Sequence, residues 1–181
     1  MIYEFLADGF EELEAIAPLD LLRRAGVDVQ SVAVCRAGGK TVTGSHSIVV
    51  TCDIALDEVD REAIEGVILP GGPGHAKLAE SGDVLECVAV AAKRGGLLAA
   101  ICAAPCILGQ NGYLKDRRAC CYPGYEKDLF GARVLHDPVV RHGSVITSRG
   151  AGTSIPFALA MIAYLKSTEL ADKIAGQIQC V

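Results

Sequence analysis

Short apolar runs alternate along this chain with stretches in which apolar residues recur every three to four positions. IYEFL (2–6) reads as a first strand. Residues 11–24 follow with helical spacing, acids in the first turn, Arg23 and Arg24 in the last, and Gly26 just beyond. Pro18 lies inside that stretch, where its missing N–H predicts a kink or a late start to the regular helix. VDVQSVAV (27–34) and SIVVTC (47–52) predict two further strands. GVILP (66–70) and LLAAI (97–101) are apolar at nearly every position, the pattern of strands covered on both faces. Helical spacing returns over 84–93, SVITS (144–148) predicts a late strand, and an apolar helix follows GAGTS through Leu165. A last helix is predicted over about 169–177.

Strands alternating with helices predict an α/β domain with a mostly parallel sheet, spanning 1–181 as one unit. In such sheets, sites gather where strands end and helices begin. Three unusual stretches fall at strand ends: ADGFEELE after the first strand, PGGPGHA after GVIL, and CAAP after LLAAI.

Each stretch supports more than one reading. Cys102 is either a small core filler in an apolar run, or a thiol held on a sharp strand-to-helix elbow. A helix N-terminus beside it would favour the thiolate. The glycines of PGGPG either close a tight turn or bring backbone amides close to a ligand, with Gly72 and Ala103 as a pair of oxyanion donors. Pro73 has no N–H to give. Glu11 and Glu14 share a helix face, with Glu12 on another. Such acids normally form a solvated first turn, but a carboxyl facing the thiol would share its proton as a coupled pair.

Composition narrows the partners. With 51% hydrophobic and 22% charged residues and a net charge of −5, the chain has a globular composition and no basic footprint for nucleic acid. The sequence opens directly on a strand-like run, and no apolar stretch reaches the roughly 18 residues of a membrane span. Eight cysteines in mostly apolar segments predict reduced thiols in a cytoplasm, and their spacing offers no zinc motif.

DGFEELEA (8–15), VILPGG (67–72), AAICAAP (99–105) and TSRGAGTS (147–154) together resemble, in order and spacing, the ThiJ/PfpI superfamily. The likeness is strongest to its branch containing the parkinsonism-associated deglycase, and it covers essentially the whole chain. It implies a flavodoxin-like three-layer sandwich with a nucleophile elbow. Cys102 matches the nucleophile, Glu14 the buried acid on its sulfur, Gly72 and Ala103 the oxyanion amides, and Glu11 a second acid lining the pocket. Gly71, His46, Tyr122 and Ala151 match substrate-binding positions. His46 stands where some relatives carry arginine, Tyr122 where many carry histidine before proline, and Ala151 where proline is common. Ala103 replaces the histidine of the protease-like branch, which argues against protease activity, and no histidine fits a glutaminase triad.

The activity so implied is conversion of methylglyoxal and glyoxal to 2-hydroxy acids without glutathione, together with a reported deglycase activity. It calls for no metal or organic cofactor and a small aldehyde as partner, in a homodimer. The alternative is an oxidative-stress sensor or holdase acting through oxidation of Cys102, with Cys106, Cys120 and Cys121 as candidate resolving thiols.

Overall fold

The computed structural model describes residues 1–35 and 38–180. β1 (Ile2–Ala7) is buried at all six positions and runs through the middle of a seven-stranded sheet. β2 (Val29–Val34) and the two-residue β5 (Ile54–Ala55) lie to one side of it. β6 (Gly66–Leu69), β7 (Leu97–Ile101), β11 (Val145–Ser148) and β10 (Val139–His142) follow in that order on the other. Every pairing in this sheet is parallel except that of β10 with β11.

Strand alternation sorts the core into layers, because successive side chains point to opposite faces. Tyr3, Phe5, Val67, Leu69, Leu98 and Ala100 pack on the side of α2 (His75–Glu80), α3 (Gly82–Lys93) and α4 (Pro105–Gln110). Ile2, Ile68, Leu97, Ala99, Ile101 and Ile146 face α1 (Glu12–Arg24), α5 (Ser154–Leu165) and α6 (Thr168–Gln177). The result is a mixed, mostly parallel sheet between two helical layers, a flavodoxin-like α/β fold. Each fully buried Leu or Ile contributes roughly 1.5–3 kcal/mol to holding the layers together.

Two small antiparallel or parallel pairs stand apart from the main sheet: β3 (Thr41–Thr43) with β4 (Val49–Thr51), and β8 (Arg118–Ala119) with β9 (Arg133–Val134). The strand expected over 47–52 is therefore corrected. Only 49–51 is extended, and it joins a surface hairpin because Val49 and Thr51 are exposed and offer no second buried face. The second strand starts at Val29 rather than at residue 27. α1 runs from Glu12 through Pro18 to Arg24 as one element, so the proline does not delay its start. Glu11 is its N-cap.

β1, β6 and β7 are neighbours, so the loops at their carboxyl ends meet at one edge. No helix among the described residues is long and apolar enough to cross a membrane.

Candidate functional site

Cys102 follows β7 directly and has φ of +64°, one of few non-glycine residues here in the left-handed region. That conformation costs about 1–2 kcal/mol for a residue with a Cβ. Two hydrogen bonds hold it: the Cys102 N–H donates to Ser148 O at 3.0 Å, and Cys102 O accepts from the Tyr122 N–H at 2.8 Å. The chain thus reverses sharply at Cys102 before α4 begins, and the thiol is left half-buried at the sheet edge.

Three groups bear on its ionisation: the Gly72 and Ala103 amides, which favour the thiolate, and the Glu14 carboxyl, which opposes it. Gly72 takes φ of +75°, and a side chain there would strike the backbone of Gly9 and Glu11 at 2.6 Å. Gly71 is needed for a different reason. A Cβ on it would lie 2.6 Å from both Cys102 Cβ and Glu14 Oε2.

Glu14 is 1% exposed and accepts the Gly71 N–H at 2.9 Å. Its own N–H donates to Glu11 Oε2 at 2.9 Å, so Glu11 both caps α1 and fixes the start of the turn carrying Glu14. The Glu11 N–H in turn donates to Gly71 O at 3.1 Å, tying the loop after β1 to the loop after β6.

The electrostatics of this pair follow from burial. Desolvation pushes Glu14 up to about 7, against the pull of Cys102 and the Gly71 amide. Burial, then the Glu14 charge, pushes the Cys102 thiol up to about 12, while the Gly72 and Ala103 amides pull it down. The helix-end effect expected from the sequence is thus outweighed while Glu14 is ionised. The two groups titrate as a unit, with one proton between them above neutrality.

The remaining expected residues lie further out. The Tyr122 ring is half-exposed and lies over Gly150, whose added Cβ would be 3.3 Å from the ring and 3.8 Å from Glu14 Oε1. Tyr122, Pro123, Arg149 and Ala151 border a cavity of about 410 Å³ beside this point. His46 sits on the β3–β4 hairpin with its side chain 70% exposed, bonded to Glu12 rather than to the sulfur.

The acids of this first turn are expected as a group to be solvated, and the structure corrects this for Glu12, which does lie on a different face from Glu11 and Glu14. It is nearly buried and accepts from His46 N at 2.7 Å, His46 Nδ1 at 2.8 Å and Ser45 Oγ at 3.1 Å. Although burial works against ionisation, these donors hold Glu12 down at about 2, and its carboxylate raises His46 above the usual histidine value. Glu11, Glu12 and His46 bring ligand-type atoms within 4.8 Å of one another, but their mutual and capping hydrogen bonds account for the grouping.

The DJ-1/PfpI family profile matches residues 1–164. Protein dj-1beta of Drosophila melanogaster is 36% identical over 173 residues, covering 94% of this chain and 91% of that protein. A protein of Caenorhabditis elegans named as a glutathione-independent glyoxalase is 35% identical over 165 residues, covering 91% and 87%. The oxidized DJ-1 structure from Toxoplasma gondii superposes with a TM-score of 0.93 at 30% identity, covering 98% of this chain and 97% of that one.

Proposed function

Because the chain belongs to the DJ-1/PfpI family, we propose that it converts small 2-oxoaldehydes such as methylglyoxal and glyoxal to 2-hydroxy acids, using Cys102 and no cofactor. The observation that carries this reading is the convergence of two amides and one carboxyl of raised pKa on a single strained thiol. The Cys102 sulfur adds to the aldehyde carbon as its proton passes by way of Glu14 to the new hemithioacetal oxygen, which rests on the Gly72 and Ala103 amides. Glu14 takes the proton from that carbon and returns it to the neighbouring one, leaving a 2-hydroxy thioester. Water then cleaves the thioester and restores the thiol. A buried acid near 7 suits this shuttle, since it gives and takes a proton with little cost at neutral pH.

The test is methylglyoxal consumption with lactate formation, without glutathione, for the native chain and Cys102→Ala. Cysteine-dependent lactate is the expected result, and an equal rate in the variant would overturn the scheme.

A second reading, oxidation sensing, is favoured by one observation. Cys102 is half-buried, as Cys35 is, and Cys180 is exposed, whereas Cys52, Cys87, Cys106, Cys120 and Cys121 are buried and shielded from oxidant. Peroxide titration followed by peptide mass mapping should place oxygen on Cys102 at lower doses than on Cys35 or Cys180, and uptake at equal doses would set this reading aside.

The homodimer is proposed on the same family basis. Leu13 and Ile16 on α1 and Ile48 and Val49 on the hairpin are exposed apolar residues, and Glu12 ties those two elements together. We propose that a second copy covers them. Leu13→Glu should lower the mass measured by light scattering from dimer to monomer. Eight free thiols are consistent with a reducing cytoplasm, the compartment proposed.

A further inference from the structure

β1 carries a charged residue in the middle of its apolar run. Glu4 is fully buried, and neither of its carboxyl oxygens has a hydrogen-bond partner among the described residues. A buried polar group normally finds one, and an ionised carboxylate without one is among the costliest things a fold can enclose.

Its surroundings explain why no partner is at hand. Glu4 shares its face of β1 with Ile2 and Leu6, which pack with Leu19, Leu22 and Ala15 of α1, so the carboxyl lies beneath that helix. In the sheet it faces Ser31 of β2 on one side and Ile68 of β6 on the other. The Ser31 hydroxyl donates to Asp53 Oδ2 at 2.7 Å, and Asp53 N donates back to it at 3.0 Å. The cation of α1 that acts on Glu4, Arg23, is paired with the same Asp53 oxygen. Cys52, on the segment before β5, is itself a buried thiol pushed up to about 11. The Ser31 N–H, the Ser31 hydroxyl and Arg23 are thus all engaged by Asp53, whose negative charge further disfavours a second anion.

We propose that Glu4 is a proton-binding site built into the sheet, and that α1 stays fully seated only while this carboxyl is neutral. The direction of its titration agrees: burial lifts it well above the usual carboxylate range, with Arg23 opposing and Asp53 adding. The unfolded chain releases this proton near the ordinary glutamate value of about 4.3. The stabilising contribution is therefore complete below that value and is lost as pH rises toward the folded-state ionisation. Since α1 also carries Glu14, the site's proton carrier is mounted on the element that this proton secures.

The experiment is urea unfolding of the native full-length chain and Glu4→Leu across about pH 5 to about pH 8. Relative to the variant, the native folding constant should fall as pH rises, by up to about tenfold per pH unit while the folded carboxyl holds the proton that the unfolded chain has lost. Glu14 is common to both chains and cancels. Parallel pH profiles would overturn the proposal. Should Glu4→Leu not fold, Glu4→Gln keeps the shape and supplies the same comparison. The infrared band of a protonated carboxylic acid should appear in the native-minus-Glu4→Gln difference at neutral pH, and its absence also overturns the proposal. Amide exchange at Leu19, Leu21 and Leu22 should quicken with pH more in the native chain than in the variant. Uniform quickening across the chain would remove α1 from the inference.

Discussion

Glu4 and Glu14 are both all but inaccessible to solvent, at 0% and 1% exposure, and burial lifts both above the ordinary carboxylate range. They differ in company. Glu14 accepts an amide N–H from Gly71 and shares a proton with Cys102, which brings its titration back to about 7. Glu4 has no donor among the described residues, and burial lifts its titration well above the usual carboxylate range. Burial alone makes an acid that holds a proton. Burial with a measured number of donors and a thiol beside it makes an acid that exchanges one.

Turnover should separate the two most widely. Glu14→Gln should lower kcat for methylglyoxal by about 10²- to 10⁴-fold, the usual loss when a general acid–base is removed. Glu4→Gln should leave kcat near the native value at neutral pH, and equal losses in both variants would erase the distinction. Gly71→Ala should come next, because its Cβ would overlap both reacting side chains. Loss of Cys102 alkylation with the fold retained, read by circular dichroism, is the expected outcome.

The pH profile sharpens the comparison more finely. Alkylation of Cys102 in the native chain should rise with a midpoint near 7, where the first of the pair's protons leaves. Glu14→Gln removes the carboxylate's push, so the thiol should titrate below about 12 and the break near 7 should vanish. Glu14 also stabilises the fold below about 4.3 and loses that contribution as pH rises to about 7. The smallest effect is expected at Glu12, an acid held at about 2 by its donors. Its contribution is present above the ordinary carboxylate value and fades as pH falls toward 2. Glu12→Gln should lower Tm by about 2–4 °C at neutral pH, and by less as acid is added.

These acids also show where the sequence was readable. LLAAI was legible because a strand buried on both faces leaves an unbroken apolar run, and β7 occupies those same residues. The elbow and its glycine loop followed from where such strands end. The β3–β4 hairpin and β10 were not legible, since each depends on a partner strand rather than on its own periodicity. The turn at Gly143 was the one local hint of the β10–β11 hairpin. The burial of Glu12 was not legible because Ser45 and His46 come to it from a distant loop, which helix spacing cannot foresee. Glu4 was different. A single charge inside IYEFLA was visible from the start, and its meaning lay in the burial of every residue around it.

The parallel arrangement of β1, β6 and β7 has a consequence for how the chain acquires its reactivity. Each pairing joins segments far apart in sequence, so loop-closure entropy must be met before any contact rewards it. Gly72, Glu14 and the Cys102 elbow meet only when all three strands are in register. During refolding, then, selective labelling of Cys102 should emerge with the final kinetic phase, after helical signal has returned. Until that moment the chain carries eight ordinary thiols, and afterwards one that is unlike the rest.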